Sequence, residues 1–184
     1  MTHAETLRSL IRTDPLCMTV LKNARQLTLA DWAIGAGFIR NRVWDHLYHK
    51  GTSLPGDIDF LYFDASDLSP AADKTIEKRI LAQAPDFPWS VKNQARMHLK
   101  NKDAPYKNTA NAIAHWLETP TAIAVRLETD DRLTILAPFG LEDLFSGTVR
   151  PTPSGQKKAD QYSARLKGKN WQARWPDLTI IKAA

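Results

Sequence analysis

The chain is 184 residues long, 43% hydrophobic and 24% charged, an ordinary composition for a folded domain and enough apolar material to bury a core. No apolar run approaches the roughly 20 residues of a membrane span, the start MTHAETLRSLIRTD lacks the apolar centre of a signal peptide, and the lone Cys17 excludes an internal disulfide and a cysteine-cluster metal site. The net charge of +5 is uneven: from Arg150 onward eight Lys/Arg face only Asp160 and Asp177, so that segment carries +6 and the remainder −1.

These features lead us to expect a cytoplasmic protein with no membrane partner and with Cys17 packed in the core. In chain order, Asp14-Pro15 reads as an N-cap followed by proline at the first helical position. Leu16, Val20, Ala24 and Leu27 line one face of the helix it opens. DWAIGAGFIRNRVWDHLYHK reads as a short strand (Trp32 to Ile34), a glycine turn (Gly35-Ala36-Gly37) and a helix to about His49. PGDIDFLYFD is a strand. Ser69-Pro70 opens a helix to about Ala84, PWSVK is a short strand, and NQARMHLKNK, rich in helix formers, continues as a helix. TPTAIAVRLETDDRLTILAPFG predicts a hairpin turning at Asp130-Asp131, with LEDLF as a short helix behind it.

RPTPSG reads as a Pro/Ser/Gly-rich linker, which divides the chain into a domain over 1–149 and a basic C-terminal extension over 150–184, packed on the domain or tethered to it. The extension interleaves Tyr162, Trp171 and Trp175 with its cations. Such a tail holds a nucleic acid by charge and stacking, or else it is a solvated basic surface whose tryptophans pack back on the core. Strands alternating with helices argue for an α+β (mixed α/β) fold, a mixed sheet flanked by helices.

One strand carries a conflict. Side chains alternate along a strand, so Asp57 and Asp59 point the same way, with α-carbons roughly 6.5 to 7 Å apart at about 3.3 Å of rise per residue. Two ionised carboxylates that close raise one another's pKa unless a cation intervenes, and hard oxygen donors suit Mg²⁺ or Mn²⁺. The bland alternative makes Asp57 a strand cap and Asp59 a residue of the wet sheet edge. Upstream, Gly35 and Gly37 let backbone N–H groups approach a ligand at a helix N-terminus suited to phosphate, and Arg40 stands one turn into that helix. Lys92 and Arg96, and Arg126 on the hairpin, are cations that meet either a phosphate or a neighbouring carboxylate.

A glycine turn opening a helix, followed by Asp-x-Asp on the next strand, resembles the nucleotidyltransferase superfamily typified by DNA polymerase beta. The chain is more closely similar to small bacterial nucleotidyltransferase-like proteins. AGFIRNRVWDHL, GDIDFLYFD, WSVKNQARMH, ETPTAIAVRL and APFGLEDLF with RPTP behind it carry that match, over roughly Ala30 to Pro153. The resemblance implies a nucleotidyltransferase-like fold. It also implies transfer of a nucleoside monophosphate from a nucleoside triphosphate to an acceptor: a small molecule, protein or RNA. Asp57 and Asp59 would be both catalytic and Mg²⁺ (or Mn²⁺) ligands, with Gly35, Gly37, Arg40 and Lys92 binding the nucleotide.

Two positions depart from the superfamily pattern. Phe38 follows Gly37 where a small residue is usual, and Ser90 stands where a third acidic residue would fall on the WSV strand. A serine neither ligates a metal as a carboxylate does nor accepts a proton at neutral pH. Asn93, Asp64, Asp67 and Asp143 are the candidate substitutes. Should none serve, the alternative is a catalytically silent nucleotide- or RNA-binding module. His46 and His49 share a helix face but lack a third ligand, and Trp32, Trp44, Trp89 and Trp116 read as core.

Overall fold

The alternation in the second strand decides how the molecule is layered. Ile58, Phe60 and Tyr62 of β2 (Ile58–Tyr62) are buried in the main core, while Asp59 and Leu61 lie on the opposite face. The computed structural model describes residues 1–184 and contains a five-stranded sheet in the order β3-β2-β1-β4-β5. The strands are β1 (Trp32–Gly35), β2, β3 (Trp89–Asn93), β4 (Ala124–Leu127) and β5 (Leu133–Leu136). Only β2 and β3 run parallel, so the sheet is mixed as expected.

The core face is covered by α1 (His3–Thr13), α2 (Pro15–Arg25), α3 (Gly37–Leu47) and α4 (Pro70–Gln83), whose Leu7, Ile11, Leu21, Ile39, Val43 and Ile80 are fully buried. Local chemistry sets where these helices begin. Asp14 accepts from the Leu16 and Cys17 amides to cap α2, and Ser69 caps α4 ahead of Pro70. Cys17 is buried as expected, and burial pushes its thiol up to about 12, leaving it unreactive. The helix α1 is an addition to the elements expected from sequence; Thr2 and Glu5 form a reciprocal capping box at its start.

On the other face a smaller cluster of Ala33, Leu61, Ile113 and Ala124 is covered by α6 (Thr109–Ile113), another unexpected element. The helix expected after β3 is α5 (Gln94–Asn101), capped by Asn93. The hairpin of β4 and β5 and the short α7 (Glu142–Phe145) lie where expected.

The RPTPSG stretch is not a flexible linker. Val149 ends β6 (Thr148–Val149), which pairs in parallel with β7 (Thr179–Ile180), and Pro151 bridges to Glu118. Thr152 caps α8 (Pro153–Lys157), and a Cβ at Gly155 would stand 2.2 Å from the Leu117 carbonyl oxygen. Pro and Gly here serve close packing, a tertiary use that composition alone does not reveal. Beyond α8 come α9 (Ala159–Lys169) and a 3₁₀ turn over Trp171–Ala173. The tail's aromatics pack back on the core: Trp171 and Trp175 meet Trp44 edge-on at 5.8 and 5.1 Å, and the Trp175 indole N–H donates to Asp45 Oδ1 at 3.1 Å. No helix is long and apolar enough to cross a membrane.

Candidate functional site

Register partners share a sheet face, so Gly35, Asp59 and Ser90 form a row across β1, β2 and β3, with Leu61 and Lys92 paired two residues on. Gly35 contributes backbone alone beside Asp59. A Cβ there would stand 2.9 Å from Leu61 Cδ1 and 3.3 Å from both Ala124 Cβ and the Ile123 carbonyl oxygen. The chain then turns into α3 through Ala36, at φ +54° and ψ −131°. For a residue with a Cβ this conformation costs on the order of 1–3 kcal/mol. The positive φ therefore falls on the alanine between the two glycines. The turn brings the start of α3 to the mouth of a cleft, where its first amides have no intrahelical acceptor.

Two clefts meet at Asp59. The first, about 400 Å³, is bordered by Ala36, Gly37 and Phe38, by Asp57 and Asp59, and by Arg165, Lys169 and Trp171 from the C-terminal segment. A second, about 360 Å³, opens over Leu61 and Lys92 and is walled by α5, the His115–Glu118 loop and α9. Ala36, Asp59 and Arg165 border both.

Asp59 is half-buried, and its carboxyl is pushed up to about 6, first by burial and then by the charge of exposed Asp57. Arg165, Lys169 and Lys92 act in the opposite direction without cancelling the rise. The Asp59 carboxylate is thus undercompensated. No three His, Cys, Asp or Glu side chains gather closely enough to hold a metal unaided. Two carboxylates beside a helix N-terminus do fit an ion of the Mg²⁺ type, which is held by one or two carboxylates and completed by substrate phosphates.

Of the residues singled out in the sequence, Asp57, Asp59, Gly37 and Arg40 gather around the first cleft, and Lys92 borders the second. Gly35 borders neither and acts as the strand partner of Asp59. Arg40 is buried, with its guanidinium over Trp171 (4.6 Å) and Trp44 (5.0 Å) and hydrogen bonds from Nη1 to Thr121 and from Nη2 to Asn41. Burial lowers its pKa to about 10.

None of the four substitutes for a third carboxylate reaches the site. Asn93 is fully buried and occupied: Oδ1 accepts from the Asp64 and Ala95 amides, and Nδ2 donates to the Asp64 and Asp67 carbonyls. Asp64 accepts from Ser66, Asp67 from Ser69, and Asp143 pairs with Arg150. Arg96 pairs with Asp73, and Arg126 with Asp31 and Glu128, so both cations take the carboxylate option. Trp32, Trp44 and Trp89 are core, whereas half-buried Trp116 lines the second cleft.

Glu118, Arg165, Lys169 and Gln94 were not singled out in the sequence as members of the site. Arg165 lies more than a hundred residues from Asp59 and reaches it because the tail folds back; its only sequence signal was the basic character of that tail.

No curated protein matches this sequence, whereas a nucleotidyltransferase family model matches residues 22–180. A solved structure described as revealing a CCA-adding enzyme head domain superposes with TM-score 0.84 at 32% identity, covering 98% of this chain and 96% of that one. Two larger enzymes share the fold at lower identity. A CCA-adding enzyme in complex with CTP has TM-score 0.64 at 14% identity, with 96% of this chain and 43% of that chain covered. An apo tRNA-processing enzyme has TM-score 0.56 at 17%, with 89% and 45% covered. This chain therefore spans less than half the length of those two. With a nucleotidyltransferase-like mixed sheet, a family match over most of its length and a full-length relative at 32% identity, the chain belongs to the nucleotidyltransferase family.

Proposed function

We propose that this protein transfers a nucleoside monophosphate from a nucleoside triphosphate to a hydroxyl-type acceptor, with Mg²⁺ or Mn²⁺ required. The observation that carries the reading is the pair of carboxylates, Asp57 and Asp59, bordering the cleft where α3 begins. In that cleft the first-turn amides of α3 take phosphate oxygens, while Arg165 and Lys169 supply positive charge along the triphosphate. Asp57 and Asp59 hold the metal, which when bound neutralises charge on the triphosphate. The acceptor oxygen bonds to the α-phosphorus and the bond to the bridging oxygen breaks. Pyrophosphate leaves with the electron pair, and the acceptor proton passes to water. The protein's contribution is positioning and electrostatics, the main sources of rate in phosphoryl-type transfer.

A second reading is favoured by Ser90, the residue beside Asp59 on β3, where a further carboxylate would complete the pair. It makes the protein a binding module that holds nucleotide without turnover. Both readings are tested by thermal unfolding with ATP, GTP, CTP and UTP, with and without Mg²⁺ or Mn²⁺, on wild type and an Asp57→Asn/Asp59→Asn variant. A ligand at a hundred times its Kd stabilises by about 2.7 kcal/mol. The expected result is a metal-dependent rise with at least one nucleotide, absent from the variant. Transfer of labelled nucleotide then supports the enzyme, and binding without pyrophosphate release supports the silent module. No shift with any nucleotide overturns both.

A further inference from the structure

We infer that the second cleft is the acceptor site and that it takes a small polyhydroxy compound carrying a phosphate group. This inference rests on the transfer reading for the first cleft and adds the chemical class of the other substrate.

The two clefts share Asp59 and Arg165 as a common wall, so a ligand in the second cleft lies directly across Asp59 from the first. Its volume, about 360 Å³, is that of a small-molecule site.

Charge and unmet hydrogen bonds set the chemistry. Four cations, Lys92, Lys100, Lys158 and Arg165, line the cleft against two carboxylates, Asp59 and Glu118. Lys158 is tied to Asp103, and Arg165 is held on Glu118. Lys100 has no side-chain partner, and the Lys92 ammonium reaches only the carbonyl of its neighbour Val91. Lys100, free of any side-chain partner, and Lys92, without an ion pair of its own though its charge acts on Asp59, suit a phosphate dianion.

Two buried acceptors point to the rest of the ligand. Gln94 is 2% exposed; its Nε2 donates to the Lys92 carbonyl at 3.2 Å, while Oε1 has no partner. Glu118 is 0% exposed; its Oε1 lies within ion-pair distance of Arg165 but outside hydrogen-bond alignment, and its Oε2 has no partner. Both residues border the cleft, and hydroxyl donors on a ligand entering between them would satisfy acceptors that the fold leaves unmet. Half-buried Trp116 adds an apolar wall for a sugar-like ring to pack against.

The test is calorimetric titration of the full chain with ribose 5-phosphate, ribose and inorganic phosphate, used as probes of the class. Wild type is expected to bind ribose 5-phosphate at least about tenfold more tightly than either part, and Lys100→Ala and Gln94→Leu each to weaken it by about tenfold. Lys100 is exposed, so that variant keeps the test sound even if Gln94→Leu misfolds. Saturating metal–nucleotide should leave the binding in place. The inference is overturned if ribose 5-phosphate does not bind at millimolar concentration, if it binds no better than phosphate alone, if the variants bind like wild type, or if nucleotide displaces it. Binding of ribose 5-phosphate by a protein that takes no metal–nucleotide would remove the transfer reading and leave the site itself standing. Metal–nucleotide binding without sugar phosphate binding would do the reverse.

Discussion

Arg165 Nε lies 2.6 Å from Glu118 Oε1, joining the C-terminal helix α9 to the loop that walls the second cleft. The Glu118 side chain is 1% exposed and that of Arg165 36%, so the buried carboxylate has this guanidinium as its ion-pair partner. Arg165→Ala should destabilise the protein by about 2 kcal/mol, below the usual cost of breaking a fully buried pair because the arginine is partly wet. Adding Glu118→Gln should recover most of that loss. Urea unfolding of the two single variants and the double one gives the coupling; additive effects would refute it.

Asp59 predicts a pH dependence of definite sign. Its carboxyl is raised from 3.8 to about 6 in the folded protein, so between those values the native state keeps a proton that the unfolded chain has lost. Stability from this group therefore falls as pH rises through the window and stays lower above it. Asp59→Asn should raise the melting temperature at pH 7.5 by roughly 5 °C, from about 2 kcal/mol in a chain this size. The gain should vanish near pH 4, and a gain of equal size at both pH values would contradict the assignment.

Ala36 bears the strained turn between β1 and α3. Its φ of +54° is a glycine conformation, so Ala36→Gly should stabilise by about 1 kcal/mol after the added freedom of the unfolded chain is counted. A drop in the denaturation midpoint would show that the alanine methyl contributes packing that outweighs the strain.

Gly35 is constrained by space. The Cβ of Gly35→Ala would press on Leu61 Cδ1 at 2.9 Å and on the β4 neighbours, in the middle of the sheet and beside Asp59. We expect a loss of about 1–3 kcal/mol in denaturant unfolding, the usual cost of overpacking. Metal–nucleotide affinity should fall with it if Asp59 is displaced.

Ser90→Asp puts a third carboxylate in the row occupied by Asp59. Without metal, like charges paired across strands should lower stability by about 0.2–1 kcal/mol. With Mg²⁺ or Mn²⁺ that deficit should shrink or reverse, read as a larger metal-induced rise in melting temperature than wild type shows. An equal rise in both proteins would mean that position 90 does not face the ion.

Much of this architecture is written locally. The alternation in β2, the Asp14-Pro15 and Ser69-Pro70 starts and the Asp130-Asp131 turn are set by neighbours within about four residues, so α2, α4 and the hairpin were legible; Asp57 falls one residue ahead of β2, and what it shares with Asp59 is the border of the first cleft rather than a strand face. The capping box of Thr2 and Glu5 was equally local and marks α1 in retrospect. Only the tertiary structure decided which distant groups meet Asp59. Trp171 and Trp175 close around Trp44, RPTPSG is locked by Gly155 against Leu117, and α9 thereby delivers Arg165 to both clefts and onto Glu118. These contacts join residues tens to more than a hundred positions apart. Their stabilisation comes from packing and burial of whole surfaces, which have no period along the chain from which to be read.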